Sequence, residues 1–152
     1  MFRIKTSTGH IYAENITTGE IDLSVSTGMV DVKSAECEGD LNLMVSTGKT
    51  LLKDISCGNL VSGGSTGDIT LENVIASGLI SIRRSTGDVK FDHCDAAELS
   101  VQTDTGDVTG TLLSEKIFFT ESDTGRIEVP ETTSGGKCKI KTDTGKIIIS
   151  IK

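Results

Sequence analysis

Apolar residues in this chain recur two apart, in short runs that break and restart every nineteen or twenty residues. Counting from each Thr-Gly glycine, position minus seven holds Phe2, Ile21, Leu41, Leu60, Ile80, Leu99, Phe118 and Cys138. Position minus five holds Ile4, Leu23, Leu43, Ser62, Ile82, Val101, Thr120 and Ile140. After the glycine, plus two holds Ile11, Val30, Thr50, Ile69, Val89, Val108, Ile127 and Ile147. Plus four holds Ala13, Val32, Leu52, Leu71, Phe91, Gly110, Val129 and Ile149. A further column at plus seven holds Ile16, Ala35, Ile55, Val74, Cys94, Leu113 and Thr132. A period of two is that of a strand with one buried face, and columns at three or four that would mark a helix are missing.

The punctuation is equally regular. Thr-Gly occurs at Gly9, Gly28, Gly48, Gly67, Gly87, Gly106, Gly125 and Gly145, spaced 19, 20, 19, 20, 19, 19 and 20 residues apart. A fixed period of this size marks a solenoid whose neighbouring rungs share one core. Inward positions are odd before the glycine and even after it, so one residue leaves the pleat at the corner, where glycine tolerates positive φ. Equivalent strands one rung apart run parallel, which requires a coil rather than hairpins. The pattern therefore predicts an all-β fold, a single-stranded parallel β-helix of about eight rungs, right-handed by the general rule for parallel crossovers. At about 4.7–4.9 Å per rung the rod would be roughly 35–40 Å long. The alternation of period falls at a second corner, where two residues (Gly58-Asn59) or three (Glu38-Gly39-Asp40) join rungs. The Thr-Gly corner is expected to be fixed and the second one loose. The eight threonines should form one column, held by hydroxyl ladders and bonds to the corner backbone.

Composition narrows the function. The 152 residues fit one domain, 1–152, read as part of a longer chain or as a rod lacking its caps. The chain is 36% hydrophobic but 3% aromatic, which suits a narrow core of Ile, Leu and Val. A formal charge of -7 argues against nucleic acid and against anionic lipid. No apolar run approaches the roughly 20 residues that span a bilayer, and Phe2-Arg3-Ile4-Lys5 is already in repeat register, with no signal peptide. A cytoplasmic location, or a piece excised from something longer, is one consequence. Cys37, Cys57, Cys94 and Cys138 lack the spacing of a zinc site. Cys37 and Cys57 share position plus nine and are expected to be stacked free thiols, because in-register side chains point parallel and strain a disulfide.

The repeated Ser-Thr-Gly-Asp-Ile/Val with an apolar residue at plus four, as in Ser65 to Leu71 and Ser85 to Phe91, resembles a bacterial adhesin-like family of unknown function. The resemblance runs from Phe2 to Ile151. It implies a β-solenoid that serves as a non-enzymatic binding or structural module of the cell envelope or extracellular face, adhesin-like or associated with envelope stress. An unknown protein or glycan would be the partner, without membrane insertion and without a cofactor. The rival class is a carbohydrate-active β-helix enzyme, a lyase or hydrolase, which would need a cleft lined by carboxylates and a base. A third is a plain architectural spacer.

Candidate chemistry is sparse. Gly63-Gly64-Ser65-Thr66-Gly67 matches the pattern of a nucleophile elbow, yet Ser65 is the ordinary corner residue, equivalent to Ser26, Ser46 and Ser85. Asp68, Asp88 and Asp107 fall at plus one on successive rungs, and Asp104, Asp123 and Asp143 at minus two on the last three. Like charges in register repel, and a calcium ion would relieve that, with Asp88, Asp104, Asp107 and Asp123 as its candidate ligands. The plainer reading keeps them hydrated beside Lys49, Arg126 and Lys146. Arg84 stands at minus three among small and polar residues, a column expected at the rim, with the arginine reaching outward. Threonine pairs such as Thr103/Thr105 evoke ice-binding surfaces on only three rungs. The last strand, Ile147-Ile148-Ile149-Ser150-Ile151, is apolar on both faces. It is expected to be the bare end of the stack, covered by another copy of the chain or by further sequence.

Overall fold

The computed structural model describes residues 2–132 and 134–151. Every element is a strand. In chain order they are β1 (Phe2–Thr18), β2 (Ile21–Cys37), β3 (Asp40–Thr47), β4 (Thr50–Cys57), β5 (Asn59–Gly63), β6 (Ile69–Ala76) and β7 (Leu79–Thr86). They continue as β8 (Val89–Cys94), β9 (Glu98–Thr105), β10 (Val108–Leu112), β11 (Lys116–Thr124), β12 (Ile127–Glu128), β13 (Gly136–Thr144) and β14 (Ile147–Ile151). All pairings are parallel, as the coil reading requires. The protein is a single-stranded parallel β-helix whose core is the set of inward Ile, Leu and Val columns.

The Thr-Gly corners lie directly above one another. Gly28, Gly48, Gly67 and the other corner glycines all have φ between 133° and 153°, in the region that L side chains avoid. Packing forbids a side chain there as well. A Cβ on Gly28 would lie 1.7 Å from the carbonyl oxygen of Gly9, and one on Gly145 would lie 1.9 Å from that of Gly106. The corner threonines do form one column, but they face solvent. The inward hydroxyls that bond the corner backbone sit two residues earlier. Thr103 donates to Gly87 O at 3.1 Å, Thr142 to Gly106 O at 3.0 Å and Ser122 to Gly145 O at 2.9 Å. The second corner varies in length, yet it too is stacked: Gly39 N donates to Gly19 O, Gly58 N to Gly39 O and Gly78 N to Gly58 O.

A third corner stands at plus six. Asn15, Ser34, Asp54, Asn73 and His93 all take the left-handed conformation, φ 52–56°, which moves the inward parity from even to odd before plus seven. Asn, Asp and His are the non-glycine residues that best tolerate it. The sixth rung lacks this residue. Its register shifts between Gly110 and Leu112, and Leu112 pairs with Cys94. The inward residue is therefore Leu112, 1% exposed, whereas Leu113, assigned inward by simple counting, is 44% exposed.

The order of the rungs departs from the order of the chain at one place. Strands stack as β11-β13-β9-β7-β5-β3-β2 on one face and β2-β4-β6-β8-β10-β14-β12 on the other, with β1 on β2. The eighth rung (β13, β14) thus lies between the sixth (β9, β10) and the seventh (β11, β12). Leu99 pairs with Cys138, and Cys138 with Phe118. The expectation that Ile147–Ile151 forms the bare end is overturned for Ile147 and Ile148, which lie between β10 and β12, while Ile149–Ile151 pair with β10 alone. Burial explains the exchange. The eighth rung is the more apolar, with Cys138, Ile140, Ile147 and Ile149 all buried, while the seventh carries Thr120, Ser122, Glu128 and Glu131. Placing the more polar rung outside removes more apolar surface from water. Two glycines let the returning chain slip through, since a Cβ on Gly135 would strike Glu115 O at 1.9 Å and one on Gly136 would strike Ala97 O at 1.7 Å.

Two outcomes test this architecture. Gly67→Ala, whose Cβ would lie 1.7 Å from Gly48 O, should cost about 4 kcal/mol in urea unfolding. Gly9→Ala meets nothing nearer than 4.0 Å and should lose only about 1–2 kcal/mol of backbone strain. Equal losses at both sites would mean that the carbonyl stack is not what forbids a side chain. For rung order, nitroxide spin labels on Ser100→Cys and Lys139→Cys should show strong dipolar broadening, because those residues are in register on adjacent rungs. The same labels on Ser100→Cys and Phe119→Cys should show much weaker broadening, because two rungs place the Cα atoms about 10 Å apart. The opposite result would restore the sequential order.

Candidate functional site

The aspartates at plus one are held by the repeat itself. Asp68 Oδ1 accepts from Asp88 N at 2.9 Å, Asp88 Oδ1 from Asp107 N at 2.8 Å, and Asp107 Oδ1 from Lys146 N at 2.9 Å. Each carboxylate thereby satisfies an amide of the next rung, a charge-assisted bond stronger than a neutral one. The exchange of rungs also places Lys146 and then Arg126 above Asp107, so the acidic run meets basic charge. Of the calcium candidates, Asp88 and Asp107 are adjacent in this ladder. Asp104 and Asp123 stand two rungs apart, with Asp143 between them. Among the described residues no three His, Cys, Asp or Glu side chains converge as a metal cage would. Ser65 is exposed at its corner, and its N–H donates to Ser46 O at 3.1 Å.

Arg84 does not reach outward. It is 1% exposed and lies in the core, where Nη1 donates to Val45 O at 3.1 Å and Nη2 to Thr50 Oγ1 at 3.2 Å and Ser62 Oγ at 3.3 Å. Nε has no partner among the described residues. Burial lowers the guanidinium's proton affinity, opposed only by the Asp68 carboxylate. The space comes from Gly64, where a Cβ would lie 1.9 Å from Arg84 Nη1. Thr50 and Ser62 are polar members of otherwise mainly apolar columns, Gly64 and Arg84 are neighbours in the small or polar column at minus three, and the coil brings all four together. That coincidence was the available signal.

The thiols are free and buried. Cys37 Sγ donates to Gly19 O and Asp40 O. Burial, reinforced by Cys37 and Asp40, pushes the Cys57 thiol up to about 12, and burial pushes Cys138 to about 12 against the nearby Lys116. Such thiols stay protonated at neutral pH and are poor nucleophiles.

At the exchanged rungs Lys116 is buried, with Nζ donating to Asp95 Oδ1 at 2.7 Å and to Ser114 Oγ. Burial by itself would raise the Asp95 pKa, but the hydrogen bonds from Lys116, Ser114 and Ala96 N outweigh it and hold this carboxyl below its usual value. This pair fastens the segment that leaves the sixth rung for the outer one.

Beyond it the stack ends unsatisfied. Ile117, Ile127 and Phe119 are 37%, 39% and 53% exposed. Because β12 is only two residues long and Pro130 supplies no N–H, β14 beyond Ile148 has no outer neighbour. There an open recess of about 960 Å3 is lined by Phe118, Val129, Pro130, Ile149 and Ile151 among others. Apolar side chains, a concavity and a free strand edge coincide at this end, making it the candidate interaction site.

A family model described as Toastrack DUF4097 matches residues 3–152. No curated protein matches the chain, and no solved structure does.

Replacing Asp95 by Asn should leave Lys116 buried and unpaired, costing about 3 kcal/mol in chemical unfolding. Because the folded-state pKa of Asp95 is depressed, its contribution is complete above the unfolded pKa of about 3.9 and is lost as pH falls through the folded value. The wild-type protein should therefore lose stability on acidification in that range more steeply than Asp95→Asn. Parallel pH profiles would remove the pair from the account.

Proposed function

The chain belongs to the Toastrack DUF4097 family, and from that premise we propose that it is a non-enzymatic structural and binding module of the bacterial cell envelope. Its partners are met at the outer end of the rod rather than in a cleft. One observation carries the reading: the corners are short on rung after rung, and the ridge aspartates and Arg84 are committed to joining rungs. A carbohydrate-active enzyme would need carboxylates converging across a cleft, whereas Asp68, Asp88 and Asp107 file along one ridge at rung spacing. The envelope assignment draws on the resemblance of the Ser-Thr-Gly-Asp repeats to adhesin-like solenoids. The net charge of -7 suits contact with proteins or glycans rather than nucleic acid or anionic lipid.

Incubating the purified chain with bacterial envelope fractions, cell-wall glycan included, should give cosedimentation without release of new reducing ends or unsaturated sugars. Release of either product, lost on substituting an aspartate of the ridge, would replace this reading with the enzymatic one. Failure to cosediment with any envelope fraction would end the envelope assignment.

A further inference from the structure

The two ends of the rod differ in chemistry. At the first rung, Phe2, Ile4 and Ile16 pack against the core yet stay partly open, because β1 has a neighbour on one side only. Beside them stand Lys5 and Arg3, the latter 3.4 Å from Asp22 of the second rung, with Glu14 as the one acid of this strand. At the seventh rung, Glu121, Asp123, Glu128 and Glu131 face outward, and Arg126 is already bound to Glu128. One end is basic and apolar, the other acidic and apolar. Both expose free strand edges.

The repeat register says how they would meet. Gly9 and Gly125 are equivalent, so a first rung set on the seventh places Phe2 on Phe118, Lys5 beside Glu121, Ile11 on Ile127 and Tyr12 beside Glu128. The molecule already contains the same junction once. Between its eighth and seventh rungs Lys141 stands opposite Glu121, and Lys137 Nζ lies 5.7 Å from the Phe119 ring. In an added copy Lys5 would repeat the first contact from the other side, holding Glu121 between two lysines, and Arg3, which takes the register position of Lys139, would bring a second cation beside Phe119. Only the parallel arrangement keeps inward residues over inward residues and adds another glycine to the corner stack. It also brings Ile11, Ala13 and Ile16 to the mouth of the recess beside Pro130.

We propose that this protein assembles head to tail, β1 of one copy stacking in parallel register on β11 of the next. The interface is heterologous and does not close, so growth gives open filaments rather than a dimer. This deepens the reading of the outer end as the interaction surface by naming its occupant, a second copy of this chain.

Sedimentation velocity of the full chain over a concentration series tests it. Wild-type mass should rise past the dimer without a plateau, and less so at high salt. Lys5→Glu alone and Glu121→Lys alone should each weaken association by about threefold to tenfold, because each sets like charges opposite one another. An equimolar mixture of the two variants should recover it, since each end then meets its opposite. Circular dichroism and thermal midpoints matching the wild type keep misfolding out of the comparison. A strict monomer, a mass that stops at the dimer, or growth indifferent to both variants would overturn the proposal. A monomer that still cosediments with envelope fractions would leave the binding module standing without its self-assembly. A filament that binds no envelope fraction would do the reverse.

Discussion

Carbonyl oxygens stand where side chains would have to be. At each Thr-Gly corner the chain turns with a φ that only glycine adopts readily, and the oxygen of one glycine occupies the place of the next one's Cβ. The same glycines join the rungs, as Gly48 N donates to Thr66 O and Gly67 N to Thr86 O, each at 2.9 Å. A corner so closely filled fixes the register of both flanking strands. Because side chains alternate with period two, that register decides which residues enter the core. Inward Ile, Leu and Val columns follow from the corner, not the other way round. Thr103, Thr142 and Ser122, the inward hydroxyls nearest the corner, donate to the same glycine oxygens and leave no buried hydroxyl idle.

The constraint is local and identical at every corner, so it sets register without setting order. A rung satisfies its corner equally well above either of two neighbours. What chooses between them is the chemistry of the rest of the rung. The chain passes first through the rung with more hydroxyls and carboxylates and then through the one rich in isoleucine, and burial draws the latter inward. The crossing is secured at both of its passages. Gly135 and Gly136 admit the returning segment, while the buried Lys116–Asp95 pair fastens the departing one. In this way the rod covers the first part of its most apolar strand, Ile147 and Ile148, and closes with a rung whose second half is cut short by Pro130.

Much of this was legible beforehand because a β-helix states its period openly. The Thr-Gly spacing and the two-residue columns suffice for parallel rungs, one shared core and stacked corners. Rung order was not legible, since register is the same for both orders. The available hint was the strength of the inward columns, with Ile140, Ile147 and Ile149 in the last rung against Thr120 and Ser122 in the one before. Leu113 was misplaced because the left-handed residue at plus six is Asn, Ser, Asp, Asn and His in five rungs and is simply missing in the sixth. Arg84 was misplaced for a different reason. Its own column is small or polar, and the residues that accommodate it, Thr50, Ser62 and Gly64, lie on other rungs. Each is a mild deviation alone, and only the coil makes them neighbours.

The acidic ridge shows where function is and is not to be sought. Carboxylates in register at rung spacing repel one another, and a surface like that invites a cation. Here each aspartate of the ridge instead takes an amide of the next rung, and the row runs into Lys146 and Arg126. The repulsion is thus spent inside the ladder, and the carboxylates act as ties between rungs. Arg84 is likewise consumed in bonding across three rungs of the core. With the ridge aspartates and Arg84 committed in this way, the backbone edges of the outermost rungs are where the ladder has nothing further to bond. For a rod built this way, the ends are where a further strand can still pair, and the difference in charge between them would give such pairing a direction.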